Sequence, residues 1–237
     1  LVGSTEFINN KERWCLWLVG VTPAELRKMP LVLKRVEACK QDRENSPDAG
    51  RRKLAETPTL FRELNNPASF ILVPKVSSER RRYVPMGFLD NNTISTDLNF
   101  IIPEATMYQF AILTSNIHMA WMRAVCGRLE MRYRYSANIV YNNFPWPEPT
   151  EPQRQKIEQT TQAILDARAL YPDSSLADLY DELTMPPELR KAHRLNDMAV
   201  MEAYGFAKGS EPYRNEAACV AELMKLYQKK VEEIENR

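Results

Sequence analysis

Residues 105–125 (ATMYQFAILTSNIHMAWMRAV) constrain the fold more than any other stretch. Their spacing predicts one long helix. Tyr108, Ile112, Ser115 and Met119 share one side; Phe110, Leu113, Ile117 and Trp121 share another. A helix that is apolar on nearly every side must be enclosed by other elements, so it is expected at the core of its region. His118 within it reads as a satisfied core histidine rather than a catalyst.

Strands and shorter helices are expected around this helix. Residues 12–20 (ERWCLWLVG) read as a buried strand, being rich in aromatic and apolar side chains. Thr22, Pro23 and Glu25 form a helix start with capping-box spacing. Pro30 is expected to end this short helix; a second follows to about Glu44, with Leu31, Leu33, Val36 and Cys39 partly on one face, and 45–50 is a polar loop. Residues 70–76, 83–89 and 98–102 read as three strands. Pro74 and Pro85 push the first two toward edges or bulges, because proline cannot donate to a ladder.

After Pro147 the texture changes. Residues 148–152 (EPTEP) read as a stiff linker with Trp146 as a buried anchor just before it. Helices are expected over 153–170, over 176–183 capped by Ser174 or Ser175, from Pro187 to about Tyr204 closed by Gly205, and over 211–235. Short connections between four helices make a small bundle. The fold class is therefore α+β: a mixed strand and helix domain over 1–150, then a C-terminal helical bundle over 151–237. Asp178, Asp181 and Glu182 on that bundle read as a solvated face.

The totals narrow the function. No apolar run approaches a membrane span, so a cytoplasmic protein is expected. Cys15, Cys39, Cys126 and Cys219 are widely spaced, and only His118 and His193 accompany them, so no zinc site is expected and buried thiols are the better reading. The chain opens at Leu1 without a signal peptide and reads as a piece of a longer protein. The net charge of +1 hides an asymmetry. Residues 1–150 carry 20 Lys+Arg against 15 Asp+Glu, whereas 151–237 carry 12 against 16. The first part suits a polyanion; the second is not expected to lie along phosphates.

The stretch 126–147 (CGRLEMRYRYSANIVYNNFPWP) carries the candidate site. If 130–135 is extended, Glu130, Arg132 and Arg134 face one way and Met131, Tyr133 and Tyr135 the other. Arg donates twice to guanine O6 and N7 while Glu accepts from cytosine N4, so the pair suits a G·C base pair. An exposed cross-strand ion pair beside a structural tyrosine is the commoner meaning of such a pattern. Ser77, Ser78, Arg80, Arg81 and Arg82 form a second candidate. Hydroxyls and cations on a turn suit phosphate oxygens, and solvated arginines on a hairpin turn read equally well.

Catalytic and cofactor motifs are missing. Seven scattered glycines include no G-x-G loop for an adenosyl cofactor. Met185-Pro186-Pro187 and Asn143-Phe144-Pro145-Trp146 both fail the Asn/Asp-Pro-Pro-aromatic pattern of an amino-methylating enzyme. There is no P-loop, no nucleophile–His–acid set and no acidic pair followed closely by lysine.

Several longer motifs carry a resemblance. They are RWCLWL at 13–18, KLAETP at 53–58, PKVSSERR at 74–81, PMGFL at 85–89, MAW at 119–121, CGRL at 126–129 and YNNFPWP at 141–147. This run resembles the target-recognition domain of the MmeI-like (type IIL) restriction–modification enzymes. SLADLY at 175–180 and LTMPPELR at 183–190 are similar to their C-terminal helical domain. The resemblance covers nearly the whole chain. It implies the back end of a single polypeptide in which a nuclease, a helical connector and an adenine-N6 methyltransferase come first. It implies double-stranded DNA and that methyltransferase domain as partners. S-adenosylmethionine, with Mg for cleavage, belongs to the parent, and no cofactor is expected on this fragment. It places Glu130 and Arg132 as base readers; beside them Arg134 is expected to steady the pair or touch the backbone, and Ser77, Ser78, Arg80, Arg81 and Arg82 are expected toward the DNA backbone on their own chemistry. A recognition domain serving a methyltransferase on another chain is the alternative. A protein-interaction module without a DNA role is a further one.

Overall fold

The computed structural model describes residues 1–236, which divide into two compact units: Arg13–Asn66, and Leu1–Glu12 together with residues 67–236. Helix α1 (Ser4–Ile8) opens the larger unit.

The unit Arg13–Asn66 holds α2 (Pro23–Arg27), α3 (Pro30–Glu44) and α4 (Ala49–Lys53). Thr22 caps α2 as its sequence predicts: its Oγ1 accepts from the Glu25 N–H at 3.3 Å, and the Glu25 carboxylate accepts from the Thr22 N–H at 2.8 Å. Arg43 fastens the segment after α4, donating to the carbonyls of Leu54, Thr57 and Leu60 at 2.8–3.0 Å. Residues 12–20 form no strand, and Trp14 is 86% exposed. Aromatic content suited them to a strand, but among the described residues this unit holds no strand to pair their backbone. Leu31 and Leu33 are also exposed, leaving Val36 as the buried residue of α3. The polar loop is shorter than expected, because Asp48 caps α4 by accepting from the Arg51 N–H.

The larger unit contains two small antiparallel sheets. In the first, β1 (Ser69–Pro74) lies between β3 (Gly87–Asp90) and β4 (Asn99–Pro103), with Ile71 opposite Phe88 and Ile102. Phe70, Ile71, Leu72 and Val73 are all buried, as suits a central strand covered on both faces. The expectation of an edge position is corrected for β1 and holds for β3, which is an edge of this sheet. Pro74 closes the central strand, where the missing donor ends the ladder and releases the chain, and Pro85 precedes β3. In the second sheet, β6 (Arg132–Arg134) lies between β2 (Val76–Ser77) and β5 (Gly127–Leu129). Lys75 joins the two sheets: its N–H donates to Leu98 and its carbonyl accepts from Tyr135.

The long apolar helix is in fact two, α5 (Met107–Leu113) and α6 (Asn116–Val125). Thr114 turns its hydroxyl back onto the Phe110 carbonyl at 2.8 Å, and Ser115 caps α6 by accepting from the His118 N–H. Hydroxyl side chains can replace backbone bonds in this way, so a continuous apolar pattern conceals the break. The core position of this pair is as expected: Phe110, Ile112, Leu113, Met119 and Trp121 are buried.

The remaining helices are α7 (Glu151–Ala169), α8 (Leu176–Leu179), α9 (Pro187–Ala203), α10 (Glu211–Arg214) and α11 (Glu216–Glu235). They enclose α5 and α6 and share one core with them, which includes Ile157, Ile164, Leu189, Val200 and Leu223. Buried polar contacts fix the fit. Thr161 donates to the Met107 carbonyl and Asn196 to the Ala111 carbonyl, each at 2.8 Å. The expected stiff linker is shorter than read, since Thr150 already caps α7. The expected helix 211–235 breaks at Asn215, whose extended backbone and side-chain oxygen cap α11. Trp146 is half-buried, edge-on to Phe144 and Tyr141.

Candidate nucleic-acid interface

The strands β5 and β6 form a hairpin joined by Glu130 and Met131. Glu130 takes a positive φ of 56° at the first turn position, where a right-twisted hairpin requires it. A left-handed conformation costs a non-glycine residue about 1–2 kcal/mol. The extended edge predicted over 130–135 is therefore corrected at its start. Only 132–134 is strand, and Met131 is 71% exposed at the turn instead of facing the core. From Arg132 onward the alternation holds: Arg132 and Arg134 are exposed, and Tyr133 and Tyr135 are buried.

Glu130 and Arg132 meet across the turn. The Arg132 guanidinium donates to the Glu130 carboxylate at 2.7 Å, and both side chains face solvent. An exposed pair of this kind contributes little to stability, so it can exchange its partners for a ligand at small cost. The hairpin beneath it is firm. The Arg128 guanidinium lies 4.0 Å over the Tyr133 ring and donates to the Met131 carbonyl. Tyr135 joins its hydroxyl to His118 Nε2 at 2.9 Å. Burial pushes His118 down to about 3, so it stays neutral as a core group, and among the described residues its Nδ1 has no hydrogen-bond partner.

The second candidate group continues from β2. Ser77 pairs with Tyr133 in the sheet and is buried, and among the described residues its Oγ has no partner, so its hydroxyl does not reach the surface. Ser78 is half-buried and its Oγ accepts from the Arg80 N–H at 3.2 Å, shaping the turn. Arg80 and Arg82 are exposed. Arg81 is half-buried; burial pulls its guanidinium down while the charge of Asp181 holds it up. Arg80, Arg81, Arg82, Arg123, Arg214 and Tyr133 line part of one cleft of about 500 Å³, which thus runs from the hairpin to the arginine segment.

A buried network that sequence reading missed anchors this segment. The Tyr83 hydroxyl donates to Asp197 Oδ2 at 2.6 Å, and the Asn116 N–H donates to Oδ1 at 2.7 Å. Tyr83 stacks on His193 with ring centroids 4.2 Å apart, and Tyr180 meets His193 Nε2 at 2.7 Å. Burial raises Asp197 to about 6, against the pull of these two hydrogen bonds and of Arg82 and Arg123. The available signal is spacing: Leu189, His193, Asn196 and Val200 place a polar pair on the buried stripe of α9, with Asp197 beside it. Of the three bundle acids, Asp178 completes the Ser175 cap and Glu182 pairs with Arg190 at 3.1 Å.

Other chemistry is sparse. The four cysteines are free. Among the described residues no three His, Cys, Asp or Glu side chains gather to hold a metal, and no helix is long and apolar enough to cross a membrane.

Together these features define a presenting module, in which a hairpin and a cation-rich segment stand on a helical core. The chain belongs to the MmeI family: residues 1–148 match the MmeI target recognition domain and residues 150–235 the MmeI C-terminal domain. It is 40% identical over 232 residues to DNA methyltransferase A of Bacillus subtilis (strain 168), covering 98% of this chain and 26% of that protein. It superposes with a TM-score of 0.93 and 47% identity on the type IIL restriction–modification enzyme MmeI solved in complex with DNA, covering 98% of this chain and 30% of that one. The chain thus spans less than a third of the length of these relatives.

Proposed function

We propose that this chain reads a defined sequence in double-stranded DNA. It does so as the C-terminal part of an S-adenosylmethionine-dependent, adenine-N6 DNA methyltransferase that also carries an endonuclease. The observation that carries the reading is the Glu130–Arg132 pair. It is solvent-facing, raised on a braced hairpin turn and seated in a recognition domain of this family. Arg132 is assigned guanine O6 and N7, and Glu130 the cytosine amino group of the same pair. Their mutual ion pair opens as the base edge enters, so each charge exchanges one partner for another.

Arg80, Arg82, Ser78 and Arg134 are assigned to phosphates, which set register without selecting sequence. Ser77 and Arg81 stand behind them and hold the turn. The helical part, 151–237, is assigned as the support that keeps 1–150 in register with the methyltransferase domain. The residues present do not fit S-adenosylmethionine, because no G-x-G loop exists to admit the cofactor's close backbone approach. The test is to replace Glu130 by Lys and Arg132 by Asp together in the full-length protein and to sequence the methylated sites. A changed preference at one base pair is expected. Unchanged preference at every position overturns the assignment.

A further inference from the structure

The helical part carries net negative charge, yet its cations are not evenly spread. Arg190, Lys191 and Arg194 fall at i, i+1 and i+4 on α9 and share one side of it. Across from them stands Arg82. These four line a cleft of about 410 Å³ with Tyr83 and Met185 in its wall, and among the described residues no carboxylate lines it. Glu182 pairs with Arg190 from outside the cleft, at 3.1 Å. Among the described residues Lys191 and Arg194 have no ion-pair partner, and both are exposed.

The cleft is continuous with the candidate interface. Arg82 lines both this cleft and the one that reaches Tyr133 beneath the hairpin. The position of Arg82 is set from two sides. Its carbonyl accepts from Arg123 at 3.2 Å, and the following residue, Tyr83, is locked to Asp197 on α9. Arginines therefore extend from β6 through Arg80 and Arg82 onto α9, with Glu79, Glu182 and Glu216 beside them in the first cleft and no carboxylate among the described residues lining the second.

We propose that Lys191 and Arg194, with Arg82, form a second phosphate-binding surface, so that the helical part itself grips the duplex backbone beyond the segment read by the hairpin. This rests on the DNA-recognition reading above. The acidic balance of 151–237 does not oppose it, because half of those acids sit on α7 and α11 and this face of α9 is positive. A backbone grip contributes affinity and salt dependence but no base preference.

The test is made in the full-length protein. Lys191→Gln and Arg194→Gln are combined, and binding to a cognate and an unrelated duplex is measured across a salt series. Each cation withdrawn from a phosphate lowers the slope of log affinity against log salt by about 0.9, so a fall of about 2 is expected on both duplexes, with methylated-site preference unchanged. The conservative pair Lys191→Arg and Arg194→Lys is expected to keep the wild-type slope, which separates the effect of charge from that of misfolding. A matched neutralisation far away, Lys225→Gln with Lys229→Gln, is expected to leave the slope alone. A wild-type slope in the Lys191/Arg194 variant, an equal fall in the Lys225/Lys229 control, or an altered base preference overturns this proposal and leaves the hairpin reading standing. If the wild-type protein itself shows no salt-dependent duplex binding, the recognition reading falls first and this one with it.

Discussion

Tyr83 donates its hydroxyl to Asp197 at 2.6 Å across 114 positions of sequence, tying the arginine segment to the middle of helix α9. Both groups are buried, so the bond is costly to break from one side. Removing one partner of a buried, charged hydrogen bond costs about 1.5–3 kcal/mol. Tyr83→Phe is expected to lower stability by about that much in denaturant unfolding. It is also expected to raise the Asp197 pKa further, since one of the two donors that favour the carboxylate is gone.

The same carboxyl makes stability depend on pH. Its folded pKa, about 6, lies above its ordinary value of 3.8. The native state therefore holds the proton more tightly than the unfolded chain does. That contribution is fully present below about pH 4 and is lost as pH rises through 6; across the window it amounts to a few kcal/mol, at about 1.4 kcal/mol per unit. Asp197→Asn cannot titrate. The stability difference between wild type and this variant should change across pH 4–6 and be flat from pH 7 to 8. A flat difference throughout contradicts the raised pKa.

At the hairpin, Arg132→Ala is expected to cost about 1–3 kcal/mol of discrimination at a single base pair, with little change in folding stability. Glu130→Asn probes the turn separately, because Asn tolerates positive φ better than Glu. It should keep or slightly raise thermal stability while relaxing preference at the same base pair. Competition binding with duplexes varied one pair at a time reads both effects.

Neutralising Arg80 and Arg82 to Gln is expected to weaken binding evenly across sequences and to lower the salt slope by about 2. A slope equal to wild type would assign these arginines to solvent.

Deleting 151–237 is expected to abolish cooperative folding of the larger unit. Ile157, Ile164, Leu189 and Leu223 fill the same core as Trp121 and Ile112, and their removal exposes α5 and α6. Near-UV circular dichroism of the truncated chain would show it; an unchanged spectrum with retained DNA binding would refute the supporting role.

Much of this was legible in the residues because it depends on near neighbours. The Thr22 capping box, the serine cap near 175, the Pro187 helix start and the Gly205 stop require only a few consecutive positions. The central place of 105–125 follows from its composition alone. The strands near 70–76 and 98–102 carry runs of β-branched and aromatic residues that a sheet prefers. The errors fall where a remote partner is missing or where a side chain replaces a backbone bond. Residues 12–20 have strand chemistry without a strand to join. Residues 114–115 and 215 interrupt apolar patterns because one side chain takes over a backbone bond.

By itself the sequence determined the family, the division into a mixed first part and a helical second part, and most of the charge carried to the surface, since these follow from motif, periodicity and residue type. Only the tertiary structure decided that Ser77 is buried, that Tyr83 meets Asp197, and that Arg82 lies opposite Lys191 and Arg194. The reason is distance along the chain: such juxtapositions are made by packing between segments up to about a hundred residues apart, and no local preference encodes them.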